Sequence, residues 1–104
     1  MNNRDAYIIL NSLPDIGPLR VETLLRFFGE PTAILRTSER TLREVRGIGA
    51  RTAEAIVNWQ QHVDLDEEKR RVERAGVTLL TREDEDYPPL LREIHDPPIC
   101  LYVR

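Results

Sequence analysis

A mainly α fold, two tandem helical hairpins followed by a short strand-bearing extension, is what this sequence of 104 residues predicts. Three observations carry that reading. Apolar residues recur at helical spacing through residues 1–75, with Pro and Gly at the starts and stops. Leu10, Leu13, Ile16, Gly17, Val21, Leu24 and Leu25 return 32 residues later as Leu42, Val45, Ile48, Gly49, Ala53, Ile56 and Val57, without a gap. Past Gly76 the chain turns β-branched and apolar, interrupted by prolines. The expected boundaries are a helical domain over 1–75 and a strand–helix–strand segment over 76–104.

The elements follow in order. Asp5–Leu13 is a short helix with an apolar stripe at Tyr7, Ile8, Leu10 and Leu13, stopped by Pro14. "PDIGPLR" is a turn, with Pro18 at the start of the next helix, where a missing N–H costs nothing. That helix runs to Phe28 with Val21, Leu24, Leu25 and Phe28 inward, and Gly29 ends it as a C-terminal cap. Pro31 opens a short helix over "PTAIL". Ser38 is an N-cap for a helix through Val45. The turn "RGIG" follows, then a helix from Ala50 to about His62. Asp64 with Glu67 makes a capping-box-like start for a helix over Leu65–Ala75, with Glu67 and Arg71 on its exposed face and Glu68 and Val72 on its buried one. Gly76 closes it. "GVTLLT" is a strand, "REDEDYPP" an acidic turn, "LLREI" one or two helical turns and "HDPP" extended. "ICLYVR" is a second strand, apolar enough for a buried parallel one. Strand, short helix and strand make a βαβ-like extension, the opening of an α/β unit. Two such strands alone are marginal, so the chain reads as a fragment of a longer protein.

Composition bounds the function. A chain 40% hydrophobic and 32% charged reads as soluble and globular. No run approaches the ~18 apolar residues of a membrane span, and no signal peptide is evident. The single cysteine, Cys100, excludes an internal disulfide and fits a cytoplasmic setting; within Ile99-Cys100-Leu101 it reads as a buried small hydrophobe. The net charge of -3 argues against a strong nucleic-acid binder. Its distribution softens that: residues 1–60 hold 8 Arg against 7 Asp+Glu, and residues 61–104 hold 7 Lys+Arg against 11 Asp+Glu. Arg supplies 14 of the 15 cations, and suits bidentate recognition of phosphate better than Lys does.

The repeat concentrates interest on "RGIGAR", Arg46–Arg51. A tight turn feeding a helix N-terminus presents outward N–H groups that can hold a phosphate. Two hairpins of this kind resemble a helix-hairpin-helix pair. The second copy fits that motif. The resemblance implies phosphate contact by the backbone N–H groups of Gly47, Gly49 and Arg51 with the side chains of Arg46 and Arg51. Thr52 flanks them, and Ile48 is an anchor between the helices. In the first copy Asp15 replaces the first glycine, and its carboxylate would repel a phosphate, so Gly17 and Arg20 are the weaker candidates. A glycine turn is also a sound folding device with no ligand at all.

"YPPLLREIHDPPICLYVR" sharpens the family. Tyr87-Pro88, Leu90-Leu91, Ile94, Asp96-Pro97-Pro98 and Leu101-Tyr102 look like the segment leading into the Rossmann-like domain of the DprA/Smf family. That resemblance covers essentially the whole chain. It implies a non-enzymatic DNA-processing factor of natural transformation, which binds single-stranded DNA and helps load the RecA recombinase. The family's N-terminal region is SAM-like, and its main DNA surface and homodimer contact lie in the Rossmann-like domain. This chain alone should therefore bind DNA weakly, at or above ~10 µM. Trp59 lies far along its helix and reads as packing, not as a base-stacking platform.

Enzymatic ingredients are thin. His62 and His95 lack partners at metal-ligand spacing, "EDED" at Glu83–Asp86 reads as an exposed acidic loop, and no Gly-rich phosphate loop follows a strand. No catalytic residue, metal or cofactor is expected. Two further readings remain: a protein-interaction scaffold that never touches DNA, and a hairpin domain of a DNA-repair protein whose catalysis lies elsewhere.

Overall fold

The computed structural model describes residues 1–14, 16–76, 78–81, 84, 85, 87, 88 and 100–103. Seven helices come first: α1 (Asn3–Ser12), α2 (Gly17–Phe28), α3 (Pro31–Arg36), α4 (Glu39–Arg43), α5 (Ala50–Val57), α6 (Trp59–His62) and α7 (Leu65–Arg74). Two strands follow, β1 (Thr78–Thr81) and β2 (Cys100–Val103).

Local chemistry sets most helix ends. Asn2 caps α1 by accepting from the Asp5 N–H at 2.8 Å. Ser38 caps α4 through the Thr41 N–H, and Asp64 caps α7 through the Glu67 N–H. Gly29 (φ +83) ends α2, its N–H donating to the Leu25 carbonyl at 2.8 Å. This is the left-handed stop that glycine makes without strain.

The repeat becomes one core. Leu10, Leu13, Ile16, Val21 and Leu24 are buried, as are their counterparts Leu42, Val45, Ile48, Ala53 and Ile56, in a single cluster. Two amphipathic hairpins thus bury together the faces that neither could bury alone. α1 goes beyond the expected stripe. Ala6 and Ile9 are buried beside Tyr7, Ile8 and Leu10, because α2, α3, α7 and β2 all pack on this helix. A helix enclosed on several sides hides more than one stripe.

Two expectations are corrected. The helix after Ala50 does not run unbroken to His62. It stops at Val57, and Asn58 (φ -102, ψ 33) separates α5 from α6. The Asn58 N–H still closes the last turn of α5 on the Glu54 carbonyl at 2.9 Å, and its side chain donates to the Glu54 carboxylate at 3.1 Å, so the break lies in the Asn58 backbone angles. Val57, counterpart of the part-buried Leu25, is exposed. On α7, Glu67 is exposed, as is Arg71, in line with the expected outer face. Glu67 binds Arg70 and Arg74, while Arg71 takes Glu68 at 2.6 Å. Finally, β1 and β2 pair antiparallel, Thr78 opposite Val103 and Thr81 opposite Cys100. The parallel βαβ-like pairing does not form. An antiparallel pair needs only a reversal of the chain, whereas a parallel pair needs a crossover over the sheet face. The expected "LLREI" and "HDPP" elements, most of the acidic turn, and Asp15 lie outside the described residues.

β1 is tied to α1 through Asp84. Arg4 on α1 holds the Asp84 carboxylate with Nη1 at 3.0 and 3.2 Å from its two oxygens. Asp84 also accepts from the Thr81 N–H at 2.6 Å and the Thr81 hydroxyl at 3.2 Å. The Thr81 backbone bond, with help from Arg4, holds this carboxyl below the usual aspartate range. Nearby, Tyr87 is completely buried. Among the described residues no buried side-chain polar atom lacks a partner.

Candidate nucleic-acid interface

The second hairpin turn is built from α4 outward. After Arg43 the chain makes short backbone bonds, Glu44 N–H to Thr41, Val45 N–H to Leu42 and Ile48 N–H to Val45. Gly47 sits between them at φ +93, a conformation that side-chain-bearing residues rarely adopt. Gly49 then serves as N-cap of α5 in extended geometry (φ -87, ψ 179), and Ala53 donates to its carbonyl at 3.0 Å.

The two glycines have different reasons to be there. Gly47 is demanded by its backbone angle. Gly49 is not: any residue adopts its angles, and a Cβ built there meets nothing within 4 Å. Ser, Asp or Asn would cap α5 better, yet α5 has no side-chain cap. The face in front of Gly49 is open.

The other candidates fall around this turn. Arg46 and Arg51 are exposed on either side of it. Ile48 is buried in the core, the anchor expected of it, and Thr52 is buried too, so both lie behind the turn. Arg20, from the first hairpin, reaches across: its Nε donates to the Gly47 carbonyl at 3.4 Å. This link spans 27 residues of chain and had no signal in the sequence beyond the repeat itself. Gly17 is exposed at the start of α2 with φ +61. Gly17 and Gly49 share a repeat position but not a conformation, and the positive φ moves from the second copy's first glycine to the first copy's second. The two turns are therefore not equivalent seats.

Trp59 is half-buried against the core, as expected of a packing residue. Phe27, unlike Trp59, is exposed, with its ring tilted against Phe28. Among the described residues no group of three or more His, Cys, Asp or Glu converges. No helix among them is long and apolar enough to cross a membrane.

Residues 7–58 match the SAM-like helix-hairpin-helix tandem family, a span running from the middle of α1 to the break after α5. Protein Smf of Synechocystis sp. is 28% identical over 102 residues, covering 97% of this chain and 26% of Smf. This alignment takes in the strands as well as the hairpins and agrees with the DprA/Smf resemblance. A DNA ligase of Thermobifida fusca is 34% identical over 87 residues, covering 81% of this chain and 11% of the ligase. UvrABC system protein C of Protochlamydia amoebophila is 45% identical over 52 residues, covering 50% of this chain and 8% of that protein. The chain thus spans about a quarter or less of each of these relatives. No solved structure matches significantly.

Proposed function

We propose that this chain, which belongs to the SAM-like helix-hairpin-helix tandem family, binds DNA by seating a backbone phosphate at the turn Arg46–Arg51. The observation that carries this is Gly49. It is a glycine without a conformational need, at an uncapped helix start with open space before it. Such a position leaves backbone N–H groups and the positive end of the α5 dipole accessible to an anion. Arg46 and Arg51 supply charge at its flanks. Ile48 and Thr52 hold the turn from behind. Arg20 steadies it through the Gly47 carbonyl, and Gly17 shapes the first hairpin that carries Arg20.

The similarity to Smf over 97% of the chain supports a wider reading. The chain is the N-terminal part of a DprA/Smf-like DNA-processing factor, cytoplasmic and without catalytic chemistry of its own. Its ligand is single-stranded DNA entering natural transformation and recombination. RecA loading and homodimer formation belong to the longer protein. The ligase and UvrC similarities favour a second reading, the DNA-contacting domain of a repair protein. Both readings use the same turn.

Fluorescence anisotropy of a labelled single-stranded oligonucleotide tests it, across a salt series, with Gly49→Asp for comparison. Asp is a better N-cap than Gly, so the variant folds at least as well. Its carboxylate occupies the anion seat, so binding is lost. Equal binding by both proteins refutes the seat. No binding by the parent chain at high concentration refutes the DNA role and points to a protein-interaction scaffold.

A further inference from the structure

Two sets of arginines on this surface differ in their pairing. Arg26, Arg70, Arg71 and Arg74 are tied to glutamates on their own helices, and Arg4 is tied to Asp84. Arg40, Arg43 and Arg46 are all exposed, and none makes an ion pair with a described residue. Arg40 and Arg43 line one shallow surface depression on α4. They stand three residues apart, on adjoining turns of one helix face. Arg46 continues the same spacing directly into the glycine turn.

Glu39 and Glu44 border the depression without closing an ion pair onto either arginine. Glu39 has its own structural reason, since a carboxylate in the first turn of α4 meets the favourable end of the helix dipole. The arginines have no such partner. Unpaired guanidinium groups in a row offer planar forks matched to phosphate oxygens.

From this arrangement we infer that Arg40, Arg43 and Arg46 form a phosphate track along α4, which carries the backbone of the bound DNA strand onward from the turn. This rests on the phosphate-seat reading and extends it. The nucleic acid is gripped at the Gly49 seat and then laid along the outer face of the second hairpin's first helix. Recognition is of the sugar-phosphate chain, so it is independent of base sequence.

The test is the salt dependence of single-strand binding by the full chain. Three proteins are compared: the parent, Arg40→Gln/Arg43→Gln, and Arg70→Gln/Arg71→Gln, which makes the same change of formal charge on α7. Each phosphate neutralised on a single strand adds about 0.7 to the slope of log affinity against log salt. The α4 variant is expected to lose about 1.4 from that slope and to bind several-fold more weakly at low salt. The α7 variant is expected to keep the parent's slope. Arg40→Lys/Arg43→Lys, which keeps the charges, should restore most of the slope. An unchanged slope in the α4 variant, with binding still lost in Gly49→Asp, overturns the track and leaves the seat standing. An equal loss in the α7 variant overturns it as well, because the effect is then diffuse charge and not a path. Absence of binding by the parent overturns both.

Discussion

Replacing Gly47 and Gly49 separately by Ala should unmix folding from binding. At Gly47 the backbone stands at φ +93 with nothing within 4 Å of a would-be Cβ. No atom has to move, so the whole cost is conformational. Holding an L-residue in the left-handed region costs about 1–2 kcal/mol. At Gly49 two small terms oppose each other. Ala narrows the unfolded ensemble, worth about 0.4–1 kcal/mol, but is a worse N-cap than Gly by a similar amount. The net change is within about 0.5 kcal/mol of zero by those two terms. In a thermal melt followed by far-ultraviolet circular dichroism, Gly47→Ala should lower Tm by roughly 4–16 °C, taking ~4–8 °C per kcal/mol for a domain of this size. Gly49→Ala should leave Tm within a few degrees of the parent, about 4 °C at most on that scale, while weakening oligonucleotide binding. If both variants melt alike, the division of labour between the glycines is wrong. If Gly49→Ala binds DNA as the parent does, the open space before it is not a ligand seat.

Two further expectations follow from the core and the clasp. Leu24→Ala and Ile56→Ala remove fully buried side chains at equivalent repeat positions, so each should cost about 2–5 kcal/mol in urea denaturation; Val57→Ser, at an exposed site, should cost no more than about 0.5 kcal/mol. The Asp84 carboxyl is held below its ordinary value of 3.8, chiefly by the Thr81 N–H. Its contribution to stability is therefore present above that value and lost as pH falls through the lower folded one. Stability measured from pH 5 downward should fall less steeply in Asp84→Asn than in the parent, and identical pH profiles would remove Asp84 from that clasp.

Much of the helical domain was legible in the sequence because its causes are local. A cap such as Ser38 or Asp64 acts on an N–H three residues away, and Gly29 stops α2 through a bond to Leu25. The burial of Leu10, Leu13, Val21 and Leu24, and of Leu42, Val45, Ala53 and Ile56, follows from helical periodicity repeated at a fixed offset. The turn was legible for the same reason, since two glycines ahead of a helical run mark a special backbone and an open helix start.

What lay beyond reach depends on which faces meet. The enclosure of α1 on several sides buries Ile9 and Ala6, and no stripe within α1 announces its neighbours. The antiparallel pairing of β1 with β2 joins residues as far apart as Thr78 and Val103, and an apolar run reads alike in either direction. Arg4 meets Asp84 across 80 residues and Arg20 meets Gly47 across 27. By itself the sequence determined the helical hairpins, their caps and the exceptional turn, since each is decided by sterics and hydrogen bonds within a few residues. Only the tertiary structure decided that the first hairpin steadies the turn of the second, which glycine the backbone truly requires, and which arginines stand unpaired beside it. Those outcomes rest on distances between groups far apart in the chain, and such distances exist only once the core has closed.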